Sequence, residues 1–300
     1  MCKSGNSRYR QTPRLNVTSI EKIHAYVSRM IKRILLLCSL LLPAATTAPA
    51  QSGGGVPDDV MHMTVLPGWR TSDGTHMAAL HIQLQPGWKT YWRAPGAGGI
   101  PPQFDWSGSR NIKSVKFYWP RPKVSYISGL RTISYSDEVI IPVEFTPGKS
   151  GQTLSLEGRV DLGVCNDICI PYSLSFAAVL SAENTKPDQL IRTALTKQPT
   201  PASQAGVKNA TCAIEPIKDG LRVTATITLP STGSGEITVI EAPDQSIWVA
   251  EATTTRRGNT LTAITEMVPP SNAPFVLDRS KIRITVMGSK RAVDILGCTG

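Results

Sequence analysis

Cys165 and Cys169, in the stretch Cys165-Asn166-Asp167-Ile168-Cys169-Ile170, are the residues of this chain best placed for chemistry. Only small, polar or branched residues separate them. The flanks alternate, with Leu154 and Leu156 before and Leu174, Phe176, Ala178 and Leu180 after. This pattern predicts two strands joined by a three-residue turn, with the cysteines directly opposed. Opposed strand residues have Cα atoms about 4.5–5.5 Å apart, within the range a disulfide needs. A cysteine pair at a turn tip is reachable by another protein, so thiol–disulfide exchange is the first chemistry the spacing offers. An inert hairpin disulfide is the alternative.

A second pair, Cys212 and Cys298, lies far apart in sequence. Pairing them closes a loop of 87 residues, for which the chain-entropy model gives about 4.6 kcal/mol. Pairing Cys165 with Cys169 gives about 2 kcal/mol on the same model, and short stiff loops fit it badly. The long bridge reads as a structural staple. The short one restrains little beyond its own hairpin and is the better candidate for being made and broken. Three residues between the cysteines, with no helix following, differ from thioredoxin chemistry, and the neighbouring Asp167 disfavours a thiolate. Zinc needs more ligands, and after the leader only His62, His76 and His81 are on offer besides the other cysteines. Met61-His62-Met63, with His76-Met77 beyond, offers soft ligands for copper(I), against a plain strand that carries them by chance. Gly148-Lys149-Ser150 imitates the end of a phosphate-binding loop, but Val143 stands where its first glycine belongs. No Gly-x-Ser-x-Gly elbow occurs.

The elements that must position these residues read as all-β. His76 to Gln85, Lys113 to Trp119, Val139 to Phe145 and Thr153 to Val164 are strand candidates, separated by Pro, Gly and Ser clusters such as the loop Ala94 to Pro102. Many short strands with such turns predict a sandwich over residues 51–182. Residues 183–209 read as a linker holding one short helix from Asp188 to Thr196, with a turn-rich Pro199 to Gly206. Alternation at Val223, Ala225, Ile227 and Leu229, at Ile282, Ile284 and Val286, and at Val293 and Ile295 predicts a second, smaller sandwich of five to seven strands over residues 210–300.

Residues 1–50 read as an address. Arg29, Lys32 and Arg33 precede the apolar run Ile34 to Leu42, and Ala48-Pro49-Ala50 fits a cleavage site, so the mature chain is expected to begin near Gln51. Met30 offers an alternative start. The apolar run is far shorter than the ~20 residues a spanning helix needs, and no stable membrane insertion is expected. The leader holds eight of the 32 Lys and Arg and one of the 22 acids. The remainder carries 24 basic and 21 acidic residues, so no nucleic-acid partner is expected. Export places the four remaining cysteines in an oxidising compartment.

The segment Gly163-Val164-Cys165-Asn166-Asp167-Ile168-Cys169-Ile170-Pro171 resembles the active-site hairpin of the N-terminal periplasmic domain of the thiol:disulfide interchange protein DsbD, in particular its ScsB-like branch. Gly87-Trp88-Lys89-Thr90-Tyr91-Trp92-Arg93-Ala94-Pro95-Gly96 is similar to a loop that family carries near its cysteines, and Tyr135-Ser136-Asp137-Glu138 follows its pattern. The resemblance covers about Val60 to Leu180. Residues 210–300 look like the second β domain of ScsB-type proteins. It implies two immunoglobulin-like sandwiches after a cleaved signal peptide, and no cofactor. Electrons would come from a separate membrane electron donor and pass to periplasmic thioredoxin-like proteins. By the same carry-over Cys169 meets the substrate, Cys165 resolves, Tyr91 and Trp92 cover the pair, and Asp137 tunes proton transfer. The family's membrane and thioredoxin domains find no counterpart in these 300 residues. A structural or partner-binding protein with inert disulfides, and a copper-handling protein, are the competing readings.

Overall fold

A computed structural model describes residues 60–127, 129–270 and 275–300, and the expected leader over 1–50 lies outside them. The first part of the chain supplies β1 (Met61–Arg70), β2 (His76–Leu84), β3 (Lys89–Tyr91), β4 (Gln103–Asp105), β5 (Ile112–Phe117), β6 (Lys123–Ile127), β7 (Leu130–Ser136), β8 (Glu138–Pro147), β9 (Leu154–Cys165) and β10 (Cys169–Leu180). One sheet runs in the order β1-β2-β8-β5. The other runs β10-β9-β3-β7-β6, with β4 pairing onto β9.

The two sheets form a sandwich because their strands alternate. Leu154, Leu156, Val160, Leu162 and Val164 of β9 point inward, as do Leu80 and Ile82 of β2 and Ile141 and Val143 of β8. Phe104, Trp106, Phe117 and Phe145 stack edge and face within that layer. The outer face of the first sheet is covered by α1 (Gln189–Leu195), whose Ile191 is fully buried against Met77 and Ala79. Asp188 caps this helix by accepting from the amides of Leu190 and Ile191.

The turn-rich stretch after α1 is more ordered than its composition predicts. It holds β11 (Thr200–Pro201), parallel to β19 (Ala292–Leu296), and a one-turn helix α2 (Ala202–Ala205) ended by left-handed Gly206. The remaining strands are β12 (Asn209–Ile217), β13 (Gly220–Thr228), β14 (Ile237–Glu241), β15 (Trp248–Val249), β16 (Thr253–Arg257), β17 (Thr260–Val268) and β18 (Arg283–Met287). They build a second sandwich from the sheets β11-β19-β18-β14 and β12-β13-β17-β15, with β16 on β17. Several of these pieces are too short to show periodicity, so more strands occur here than the five to seven expected. Among the described residues, no helix is long and apolar enough to cross a membrane.

The sandwiches are not independent beads. Val239, Met287 and Ala292 of the second join Trp92, Ile133 and Tyr135 of the first in one buried cluster. Polar contacts rim this seam. The Arg93 guanidinium donates to both Glu241 carboxylate oxygens at 2.9 and 3.0 Å and to Thr285 at 3.2 Å. The Arg121 guanidinium donates to the carbonyls of Gly288, Ser289 and Lys290.

Candidate functional site

The β9–β10 hairpin runs in unbroken register from Leu154↔Leu180 to Cys165↔Cys169. Cys165 and Cys169 form a disulfide at its tip, with Cα atoms 4.1 Å apart. Parity decides which way the sulfurs face. The even-numbered residues of β9 fill the core, so Gly163 and Cys165 lie on the outer face of the sheet. Cys165 is nonetheless 2% exposed, whereas Cys169, Asn166, Asp167 and Ile168 are exposed. The disulfide therefore joins a buried residue to an exposed one.

A second layer lies over that face. Lys89 of β3 pairs with Cys165, and Tyr91, two residues on, shares its face. The Tyr91 ring lies so close to Gly163 that a Cβ there would sit 2.8 Å from two ring carbons and 2.9 Å from Ile100 Cβ. Only glycine admits this stacking. The Tyr91 hydroxyl lies 2.8 Å from Cys169 Sγ and 3.3 Å from the Gly98 carbonyl oxygen, two acceptors for its one proton. Burial raises its pKa, which keeps it a donor. The 94–102 loop continues from this strand. Gly99 lies against Pro95 and the Tyr91 ring, and the Gly98 carbonyl is 3.9 Å from Cys169 Sγ. Tyr91 and this loop form a lid over Gly163 and part of Cys169 Sγ.

The other expected site residues separate. Trp92 points the opposite way from Tyr91, is fully buried in the seam between the sandwiches, and carries the Arg93 guanidinium 4.0 Å from its ring centroid. It is a packing residue there and not a cover for the disulfide. Asp137 occupies a left-handed turn position (φ 67°) and faces Lys123 at 4.0 Å, with its carboxylate in solvent. Sequence reasoning missed the Gly98 carbonyl, Ile100 and the tight packing at Gly99. The glycine density of the loop is the signal that could have found them, since close approach needs residues without a Cβ.

The metal readings lose their ligand sets to the same parity. Met61 is buried in the core with Met63 beside it, while His62 projects to solvent from the other face of β1. His76 is fully buried with Nε2 2.7 Å from the Pro67 carbonyl oxygen, and His81 pairs with the Glu138 carboxylate. Among the described residues, no group of three or more His, Cys, Asp or Glu is placed to hold a metal ion.

Cys212 and Cys298 form the other disulfide, with Cα atoms 5.7 Å apart and exposures of 0% and 8%. It ties β12 to the segment after β19, where the Cys212 amide also donates to the Thr299 carbonyl.

Comparison with known proteins agrees with this geometry. Residues 62–181 match the family model described as thiol:disulfide interchange protein DsbD, N-terminal. Among solved structures, the N-terminal periplasmic domain of ScsB from Proteus mirabilis is similar, with 22% sequence identity and a TM-score of 0.59. The match covers 82% of this chain and 96% of that one. No curated protein sequence matches. Residues 62–181 thus match the N-terminal domain of a thiol:disulfide interchange protein on an all-β, immunoglobulin-like fold, and the cysteine pair within them sits at the hairpin tip.

Proposed function

We propose that the protein is an exported, periplasmic thiol–disulfide exchange protein that passes electrons through Cys165 and Cys169 to thioredoxin-like partners. The observation that carries this reading is the asymmetry of the pair, an exposed Cys169 bonded to a buried Cys165 beneath a lid. In the reduced state the Cys169 thiolate attacks the partner's disulfide. That bond breaks, a mixed disulfide with Cys169 forms, and the partner's second sulfur leaves as a thiolate. The Cys165 thiolate then attacks Cys169 Sγ and releases the partner as a dithiol. Two electrons have moved to the partner, and the Cys165–Cys169 bond has re-formed. A membrane-embedded donor dithiol returns the pair to the reduced state by the same exchange in reverse.

Cys169 is assigned as the attacking residue because it is exposed while Cys165 is buried. Tyr91 and Gly98 crowd part of its sulfur, so lifting the lid opens it further. Cys165 is assigned as resolving because it is shielded yet adjacent. Tyr91 donates a hydrogen bond to Cys169 Sγ, which steadies negative charge there when the bond opens. Residues 51–182 act as the redox domain, 183–209 as a linker and 210–300 as a supporting sandwich stapled by Cys212–Cys298.

Trapping tests this directly. A Cys165→Ser variant should hold a thioredoxin-like disulfide substrate as a mixed disulfide through Cys169, while Cys169→Ser should not. Equilibration in glutathione or dithiothreitol buffers should reduce Cys165–Cys169 well before Cys212–Cys298. Structural disulfides typically lie below about −300 mV. No trapped adduct in Cys165→Ser, together with a Cys165–Cys169 potential in the structural range, would overturn the reading.

A further inference from the structure

The lid over Cys169 is clasped from outside its own sandwich. Glu251 lies in the second sandwich between β15 and β16, where Ala250 is fixed by donating to the Glu266 carbonyl. One Glu251 carboxylate oxygen accepts from the Ala97 amide at 3.2 Å, at the apex of the 94–102 loop. The other faces Arg131 Nε of β7 at 3.4 Å. That Arg131 nitrogen is buried and makes no hydrogen bond within the protein, so the Glu251 charge is its compensation. The loop is tight at this point. Gly96 has φ +82° and Gly99 donates to its carbonyl at 3.4 Å. At the base of the loop, Arg93 is held by Glu241, also from the second sandwich.

The loop therefore has two sides with different jobs. Toward the hairpin, Gly98 and Gly99 touch the Tyr91 hydroxyl and ring, and Gly98 lies beside Cys169 Sγ. Toward the second sandwich, Ala97 is latched by Glu251. We propose that Glu251 is a positioning residue for the redox pair. Its carboxylate holds the lid closed, so the second sandwich sets how often the disulfide is open to attack. This rests on the exchange reading above and names a control on the same site.

The test is the rate at which dithiothreitol reduces Cys165–Cys169 in the full mature chain, read by alkylation and mass spectrometry. A small reductant needs no partner protein, so the result stands apart from whether a thioredoxin-like substrate is trapped. Partly exposed ion pairs contribute modestly, so Glu251→Ala should speed reduction about two- to fivefold. Hydrogen exchange at the Ala97 amide should rise in the same proportion. Glu251→Gln keeps an acceptor for Ala97 but loses the charge facing Arg131, and should fall between. Glu266→Ala, which removes the surface partner of Arg222, should leave the rate at the wild-type value. Equal rates in wild type and Glu251→Ala, or an equal rise in Glu266→Ala, would overturn the latch. A disulfide that resists dithiothreitol in every variant would instead overturn the exchange reading, and the latch with it.

Discussion

Replacing Gly99 by alanine puts the lid under a load that can be read from distances. A Cβ at Gly99 would lie 2.4 Å from Pro95 Cβ and 2.7 and 2.8 Å from two Tyr91 ring carbons. Neither neighbour is the far end of a flexible chain. To regain ordinary contact, which begins near 3.4 Å, the loop and the ring must separate by about 1 Å. Overpacking of this kind typically costs about 1–3 kcal/mol. The loop lies on the surface and can relieve the strain by lifting. A closed state destabilised by that amount shifts the closed-to-open ratio by about 5- to 150-fold. Lifting also withdraws the Gly98 carbonyl from Cys169. Dithiothreitol should therefore reduce Cys165–Cys169 at least about fivefold faster in Gly99→Ala, with urea denaturation showing a loss of no more than about 1–3 kcal/mol. The neighbouring Gly98→Ala is the control, because its Cβ meets Thr132 and Leu130 side-chain atoms only at 3.6–3.9 Å. It should leave the rate within experimental error. Equal effects from the two alanines, or none from Gly99→Ala on either rate or stability, would refute the reasoning that this loop is a packed lid.

Removing the other bridge should act on stability and not on exchange. With a sequence separation of 86, the Cys212→Ser/Cys298→Ser double variant loses about 4.6 kcal/mol of loop-closure stabilisation. Equilibrium urea denaturation should show it, and a loss under about 1 kcal/mol would contradict the staple. His76 supplies a pH dependence. Burial, with Arg70 adding to it, lowers its pKa below the ordinary value, against the pull of its hydrogen bond to Pro67. The unfolded chain thus takes up a proton near pH 6.5 while the folded one stays neutral. The stability this gives is present above about pH 6.5 and is lost as pH falls from there through the lowered folded value, at up to about 1.4 kcal/mol per pH unit. His76→Gln should flatten that limb of the stability profile, and an identical acid slope in the variant would remove His76 as its cause.

How much of this was legible in the sequence follows from the reach of each signal. The hairpin was legible because β9 and β10 alternate over their whole length and because three residues between cysteines leave few other geometries. The helix after Lys186 was legible from the apolar spacing of Leu190, Ile191, Ala194 and Leu195. Parity also held a prediction that went unused. Tyr91 and Trp92 are adjacent in a strand segment and so cannot both cover the cysteines. One must turn inward, and the structure turns Trp92. The strands β15 and β11 were not legible, since two residues carry no period. Nor was Glu251. Its partners are 120 residues or more away in sequence, Arg131 and Ala97, and an isolated surface glutamate announces no contact of that range.

On the exchange reading, the same architecture lets one disulfide cycle without unfolding its domain while the other acts as a staple. Twelve residue pairs of β9 and β10 are in register, eleven of them beyond the bonded pair. Opening the short bridge frees a loop of five residues, about 2 kcal/mol on the chain-entropy model, and the ladder already confines that loop. On the exchange reading, both sulfurs then remain within reach after reduction, with Cys165 able to resolve a mixed disulfide. The long bridge has no such ladder behind it. Besides the disulfide, the end of the chain is held to β12 by the single bridge Thr211↔Thr299, with the Cys212 amide donating to Thr299 and the Thr299 amide to Ala210, so reduction there would loosen that end. Buried at 0% and 8%, those sulfurs are also closed to a partner's thiolate. A reductant strong enough for the hairpin tip thus spares the staple for kinetic as well as energetic reasons. That selectivity is what a protein needs if it is to be opened and closed repeatedly at a single bond.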